Sequence, residues 1–174
     1  MSDLSISPHD HMLMSRVALA TSLFLSLTTS VLAQQSPAGL WVTYDAQTNQ
    51  ASSHIRVDQS GDTLSGSVDQ ILDPAKADAR CVACDDERKD QPIAGMMLFR
   101  NVKAKADEAQ TWDGGEILDP RSGRTYKVRI RLINNGNTLE VRGYRGNPMF
   151  GRTQLWQRYD ATQTAAAAAE PSTR

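Results

Sequence analysis

The sequence is poor in histidine and cysteine, with three and two in 174 residues. His9 and His11 sit in an N-terminal stretch that has the marks of an export signal, so His54 is the one imidazole of the expected mature chain. A Ser-His-Asp triad therefore has little material to draw on. No G-x-S-x-G, H-E-x-x-H or P-loop pattern occurs, and a zinc site would need two more thiolate or imidazole ligands beside the two thiols. A charge excess of one sign is also missing. With 19 basic and 20 acidic residues the formal net charge is -1, which excludes a strongly basic nucleic-acid binder. No apolar stripe of helical period runs beyond two turns, so a helical body is not expected. What is present, 40% apolar and 22% charged residues, is ordinary globular composition and suits one domain.

The N-terminus reads as processing rather than structure. Arg16 precedes an apolar and small-residue run from Val17 to Leu27, followed by Ser30-Val31-Leu32-Ala33. The run is too short to span a bilayer, and the small residues suit a cut after Ala33. Asp3 and Asp10 suit a positive leader poorly, which makes Met14 a candidate true start. The expected divisions are an export signal peptide, as a helix, over 1–33, a barrel domain over 34–159, and a disordered Ala-rich tail over 160–174, whose ATQTAAAAAEPSTR offers no long apolar side chain to bury. The location this implies is periplasmic or secreted, with no membrane span in the mature protein.

Between those ends apolar residues recur with period two, broken by turn residues at short intervals. This predicts strands at about 40–45, 52–59, 63–72, 96–104, 110–118, 124–133, 138–145 and 150–158. Taking Asn135-Gly136 as a two-residue turn sets Leu132 opposite Leu139, Ile130 opposite Val141 and Val128 opposite Gly143, so one face is apolar. On the other face Arg131 meets Glu140, Lys127 meets Tyr144, and Arg129 meets Arg142, a like-charge pair that calls for an acid or an anion nearby. Ser60-Gly61 as a turn would set Val57 opposite Leu64 and Ile55 opposite Gly66. Eight consecutive hairpin-joined strands leave two edges, and closing the sheet removes both. The fold expected is all-β, an antiparallel up-and-down barrel of eight strands, wide enough for packed side chains or one small ligand.

Gly39-Leu40-Trp41 on the first strand, with Trp156 and Arg158 on the last, resembles the calycin arrangement of lipocalins and avidin-like barrels. That resemblance implies a Trp41 that plugs one end and an Arg158 packed over it, although a Trp at this place also serves as an ordinary core residue. A string of further segments resembles the exported bacterial family known as domain of unknown function 2147: GLW at 39, CVACDDERKDQPIAGMML at 81, WDGGEILDPRSGRTY at 112 and LEVRGYRGNPMFGRTQLW at 139. This implies an exported lipocalin-like barrel and brings no established activity with it. The sequence departs from that pattern at Asp85-Asp86, where a glycine is usual.

In an oxidising compartment Cys81 and Cys84 are expected to form a disulfide, whose small ring restrains the unfolded chain by roughly 2 kcal/mol. Redox-active thiols and a metal site remain open alternatives. Asp113, Glu116 and Asp119 could serve acid–base chemistry, but in a strand 113 and 116 point to opposite faces, and Asp119-Pro120 with Ser122-Gly123 reads as turn chemistry. No catalytic residue, metal or cofactor is assigned, and an enzyme is less expected than a binding protein. The charge is unevenly spread: residues 34–120 hold 8 basic and 15 acidic side chains, and residues 121–158 hold 9 basic ones and the single acid Glu140. These charges could form solvated cross-strand pairs. Alternatively, Arg129, Arg142, Arg145 and Arg152, with Trp112, Tyr126 and Tyr144, could line a mouth for a small amphipathic or anionic molecule, since guanidinium can engage two oxygens at once. The rival expectation is a barrel with a filled interior that acts as a structural or interaction module of the cell envelope.

Overall fold

A computed structural model describes residues 35–160. The expected export signal over 1–33, and all but Asp160 of the tail, lie outside them. Eight strands follow one another: β1 (Gly39–Tyr44), β2 (Ala51–Ser60), β3 (Thr63–Ile71), β4 (Met97–Ala104), β5 (Thr111–Asp119), β6 (Arg124–Ile133), β7 (Thr138–Tyr144) and β8 (Gly151–Arg158). Each pairs with its sequence neighbour, and β1 pairs with β8, so the sheet is a closed up-and-down antiparallel barrel. Two short 3₁₀ turns, Pro74–Lys76 and Pro148–Phe150, lie in the β3–β4 and β7–β8 connections. Among the described residues no helix is long and apolar enough to cross a membrane.

The β6–β7 register is the one that turn arithmetic predicts, from Ile133 against Thr138 to Lys127 against Tyr144. Asn135 and Gly136 take φ of 51° and 80°, and the Asn137 N–H donates to the Asn134 carbonyl, as a twist-matched two-residue hairpin turn requires. The β2–β3 hairpin differs from the expectation by two residues. Val57 opposes Gly66 and Ile55 opposes Val68, because the two central turn residues are Gly61 and Asp62, with Gly61 at φ +59°. A slip of two keeps every side chain on its face, so the apolar pattern alone cannot detect it.

Period-two alternation sends one set of side chains into a single core built around Trp41, Ile55, Val57, Leu64, Phe99, Val128, Ile130, Leu139 and Trp156, each at most 2% exposed. Ile71, Ile93 and Ile117 pack on its margin. The interior is therefore occupied by side chains.

The long β3–β4 connection lies against the β5–β6 turn. Cys81 and Cys84 form a disulfide and cluster with Met96 and Leu118. Gly123, at φ +67°, brings its backbone so close that a Cβ there would fall 1.8 Å from the Ala83 carbonyl oxygen. Asp86 accepts hydrogen bonds from the Arg88 backbone and guanidinium. Arg88 also reaches Thr125 Oγ1 on β6 at 3.4 Å. Asp86 thus fixes Arg88, which carries the connection to β6.

Candidate functional site

The two ends of the barrel are built differently. At one end Trp41 is fully buried, its indole N–H donating to the Pro37 carbonyl at 2.9 Å. The Arg158 guanidinium lies 4.3 Å from the centre of the Trp41 rings. It also donates to the carbonyls of Gly136 at 2.7 Å, Ala38 at 3.2 Å and Ser36 at 2.9 Å. Burial favours the neutral form of Arg158, and the three carbonyls and the ring face take the place of water around its charge. The shallow, open concavity here, lined by Gln35, Ser36, Ala38, Asn135, Gly136, Asn137 and Arg158, contains one cation, and its donors are already engaged.

The other end carries the connections β1–β2, β3–β4, β5–β6 and β7–β8. Here the seam parts. β1 meets β8 only at Trp41 against Arg158 and Val42 against Gln157, whereas β7 pairs with β8 along its whole length. Residues 151–155 of β8 therefore have no partner on the β1 side. Trp156 is inward and buried, so by alternation Gln154 and Arg152 share its face, yet both are exposed.

Alternation sorts the arginines and aromatics singled out in the sequence. Val128 and Ile130 are buried in the core, so Arg129 between them points outward, as do its cross-strand partner Arg142 and, one row on, Tyr144. Arg152 opposes Gly143, which opposes Val128, so Arg152 belongs to the inward row. Tyr126 is two residues from Val128 on that same row, and the Arg145 guanidinium stacks 5.0 Å from its ring centre. Trp112 is in the core, 6% exposed, and its indole Nε1 is the one buried side-chain polar atom among the described residues with no hydrogen-bond partner. The mouth therefore combines Tyr126, Arg145 and Arg152, while Arg129, Arg142, Tyr144 and Trp112 are elsewhere. Arg124, which shares the parity of Tyr126 on β6, joins the mouth row and was absent from the sequence-derived set. Its alternation with Tyr126 and Val128 was the available signal.

The outward pair has the acid that its like charges called for. A bulge between Trp112 and Gly115 on β5 presents Asp113, which accepts from Arg129 Nε at 2.7 Å and from the Tyr144 hydroxyl at 2.7 Å. Burial works against the Asp113 carboxylate, but hydrogen bonds from Tyr144, Arg129 and the Gly114 N–H prevail and hold it below its usual range. Burial first, and then the hydrogen bond to Asp113, push the Tyr144 phenol up to about 12. Arg142 turns instead to the carbonyls of Pro148 and Met149 and to Thr153 Oγ1. Both outward arginines are spent on the wall.

By contrast, Arg124, Arg145 and Arg152 have no carboxylate within ion-pair distance among the described residues. No group of three or more His, Cys, Asp or Glu side chains among those residues could hold a metal ion. The arrangement offers an exposed, inward-facing set of guanidiniums beside a tyrosine ring, at the rim of a filled barrel.

A family model described as "Uncharacterized protein conserved in bacteria (DUF2147)" matches residues 39–158, the whole of the barrel. No curated protein sequence matches the chain. A solved structure described as "Protein HP1028 from the human pathogen Helicobacter pylori belongs to the lipocalin family" superposes with a TM-score of 0.63 at 17% identity, covering 80% of this chain and 93% of that one. At that identity the likeness concerns the lipocalin-like fold.

Proposed function

The chain belongs to the bacterial DUF2147 family, and on that premise we propose that it is an exported, periplasmic or secreted barrel that binds a small anionic molecule at its open rim. The observation that carries this reading is the set of Arg124, Arg145 and Arg152, which lie on the inward face without carboxylate partners while every other arginine of residues 121–158 is engaged. A guanidinium with free donors suits carboxylate or phosphate oxygens. The packed interior narrows the ligand class: an amphipathic molecule with a long apolar body has no lumen to enter, so the ligand meets the rim with its charged group. Support for export comes from the N-terminal run and from a disulfide that suits an oxidising compartment.

The test is native mass spectrometry of protein purified from its own host, followed by titration with soluble phosphates and carboxylates. Saturable, salt-sensitive binding that weakens in Arg145→Ala and Arg152→Ala is expected. A bare mass with no response to either class would overturn the reading. It would favour the second one, an interaction module of the envelope, to which the filled interior already lends weight.

A further inference from the structure

The β7–β8 connection presents the two most exposed large apolar side chains of the described residues, Met149 at 78% and Phe150 at 82%. They do not hang from a loose loop. The Asn147 side chain accepts from the Met149 N–H at 2.9 Å, and Arg142 donates to the carbonyls of Pro148 and Met149 and to Thr153 Oγ1. The turn is stapled to the outer wall, so Met149 and Phe150 are kept from folding back onto the core. Arg145 and Arg152 flank them in sequence. Lys127 on the outer face and Arg124 on the rim add two more cations without an ion-pair partner among the described residues. The β3–β4 connection at the same mouth carries both signs, with Asp73 paired to Lys76 and Asp86 to Arg88. The apolar tip therefore stands among Arg and Lys side chains that no carboxylate of the described residues neutralises.

We propose that this turn docks the barrel mouth on an anionic lipid surface. Met149 and Phe150 enter the headgroup–acyl boundary, and Arg124, Lys127, Arg145 and Arg152 meet lipid phosphates. Projecting apolar side chains ringed by Lys and Arg are the chemistry of interfacial binding. The cations around the tip have no carboxylate partners among the described residues, and their charge complements the phosphates of an anionic bilayer. The inference stands apart from the soluble ligand proposed above, because it turns on residues 149 and 150, which that ligand does not need.

The test places a polarity-sensitive fluorophore at Met149→Cys in the full chain, whose native cysteines are held in their disulfide, and in a second sample at Asp62→Cys, on the β2–β3 turn at the opposite end. Vesicles of phosphatidylcholine alone are compared with vesicles of phosphatidylcholine mixed with phosphatidylglycerol. A blue shift at 149 with the mixed vesicles only, none at 62, and reversal by salt is the expected result. Lys127→Ala or Arg152→Ala should then weaken the apparent affinity about fivefold each, and Phe150→Ser about tenfold. No shift at 149, equal shifts with neutral and anionic vesicles, or equal shifts at 149 and 62 would each overturn the docking. A titration with soluble phosphate reads the other proposal separately.

Discussion

Arg158 and Arg152 are six residues apart on the same face of the same strand, and they have opposite fates. At the plugged end Arg158 spends its donors on three carbonyls and its flat face on Trp41. At the rim Arg152 is exposed, on a stretch of β8 that has lost its β1 neighbour. The difference teaches that an arginine stays available for recognition where no inward carbonyl or ring face lies within its reach. Where carbonyls face inward with nothing to accept from, the guanidinium becomes part of the frame.

The comparison can be broken most severely at the plug. Trp41→Ala should cost about 3–5 kcal/mol of stability, read from denaturant unfolding, because a buried aromatic leaves a cavity the closed sheet cannot collapse. Arg158→Ala should cost about 2–3 kcal/mol, since carbonyls are left without donors and the ring face without its cation. Arg158→Lys should recover only part of that loss, because one ammonium cannot reach three divergent acceptors. A plug variant as stable as the parent would mean that the two ends are not distinct.

The wall between the ends should show itself in pH dependence. An unfolded tyrosine ionises near 10.0 and Tyr144 near 12, so between those values the unfolded chain loses its proton first and stability falls as pH rises. Tyr144→Phe should flatten that alkaline limb in thermal melts. Asp113 has the opposite sign: its lowered pKa makes a contribution present above the ordinary 3.8 and lost as pH falls below it, and Asp113→Asn should remove that acid sensitivity. The smallest stability effect belongs to the rim, where Arg152→Ala should change unfolding by no more than about 0.5 kcal/mol while weakening anion binding measured by calorimetry.

Much of this was legible in the sequence. The Asn135-Gly136 dipeptide and the flanking alternation specify the β6–β7 register residue by residue, and the clash of Arg129 with Arg142 announces a missing acid. Which acid answers was not legible. Asp113 reaches Arg129 because Gly114 and Gly115 bulge β5, and a bulge changes facing without changing composition. The β2–β3 hairpin illustrates the same limit, since Ser60-Gly61 and Gly61-Asp62 are both acceptable turns and differ by a shift that preserves faces. Arg124 was legible by parity with Tyr126, a signal that a count of charges does not carry.

Sequence by itself determined the strands, their order and their closure into a barrel, because alternation, turn chemistry and the cost of open edges act between near neighbours along the chain. Only the tertiary structure decided that the lumen is full, that β1 and β8 part toward the mouth, and which arginines are spent. Those outcomes depend on the summed volume of side chains from all eight strands and on which carbonyls lie within reach across the barrel, quantities that no local pattern carries.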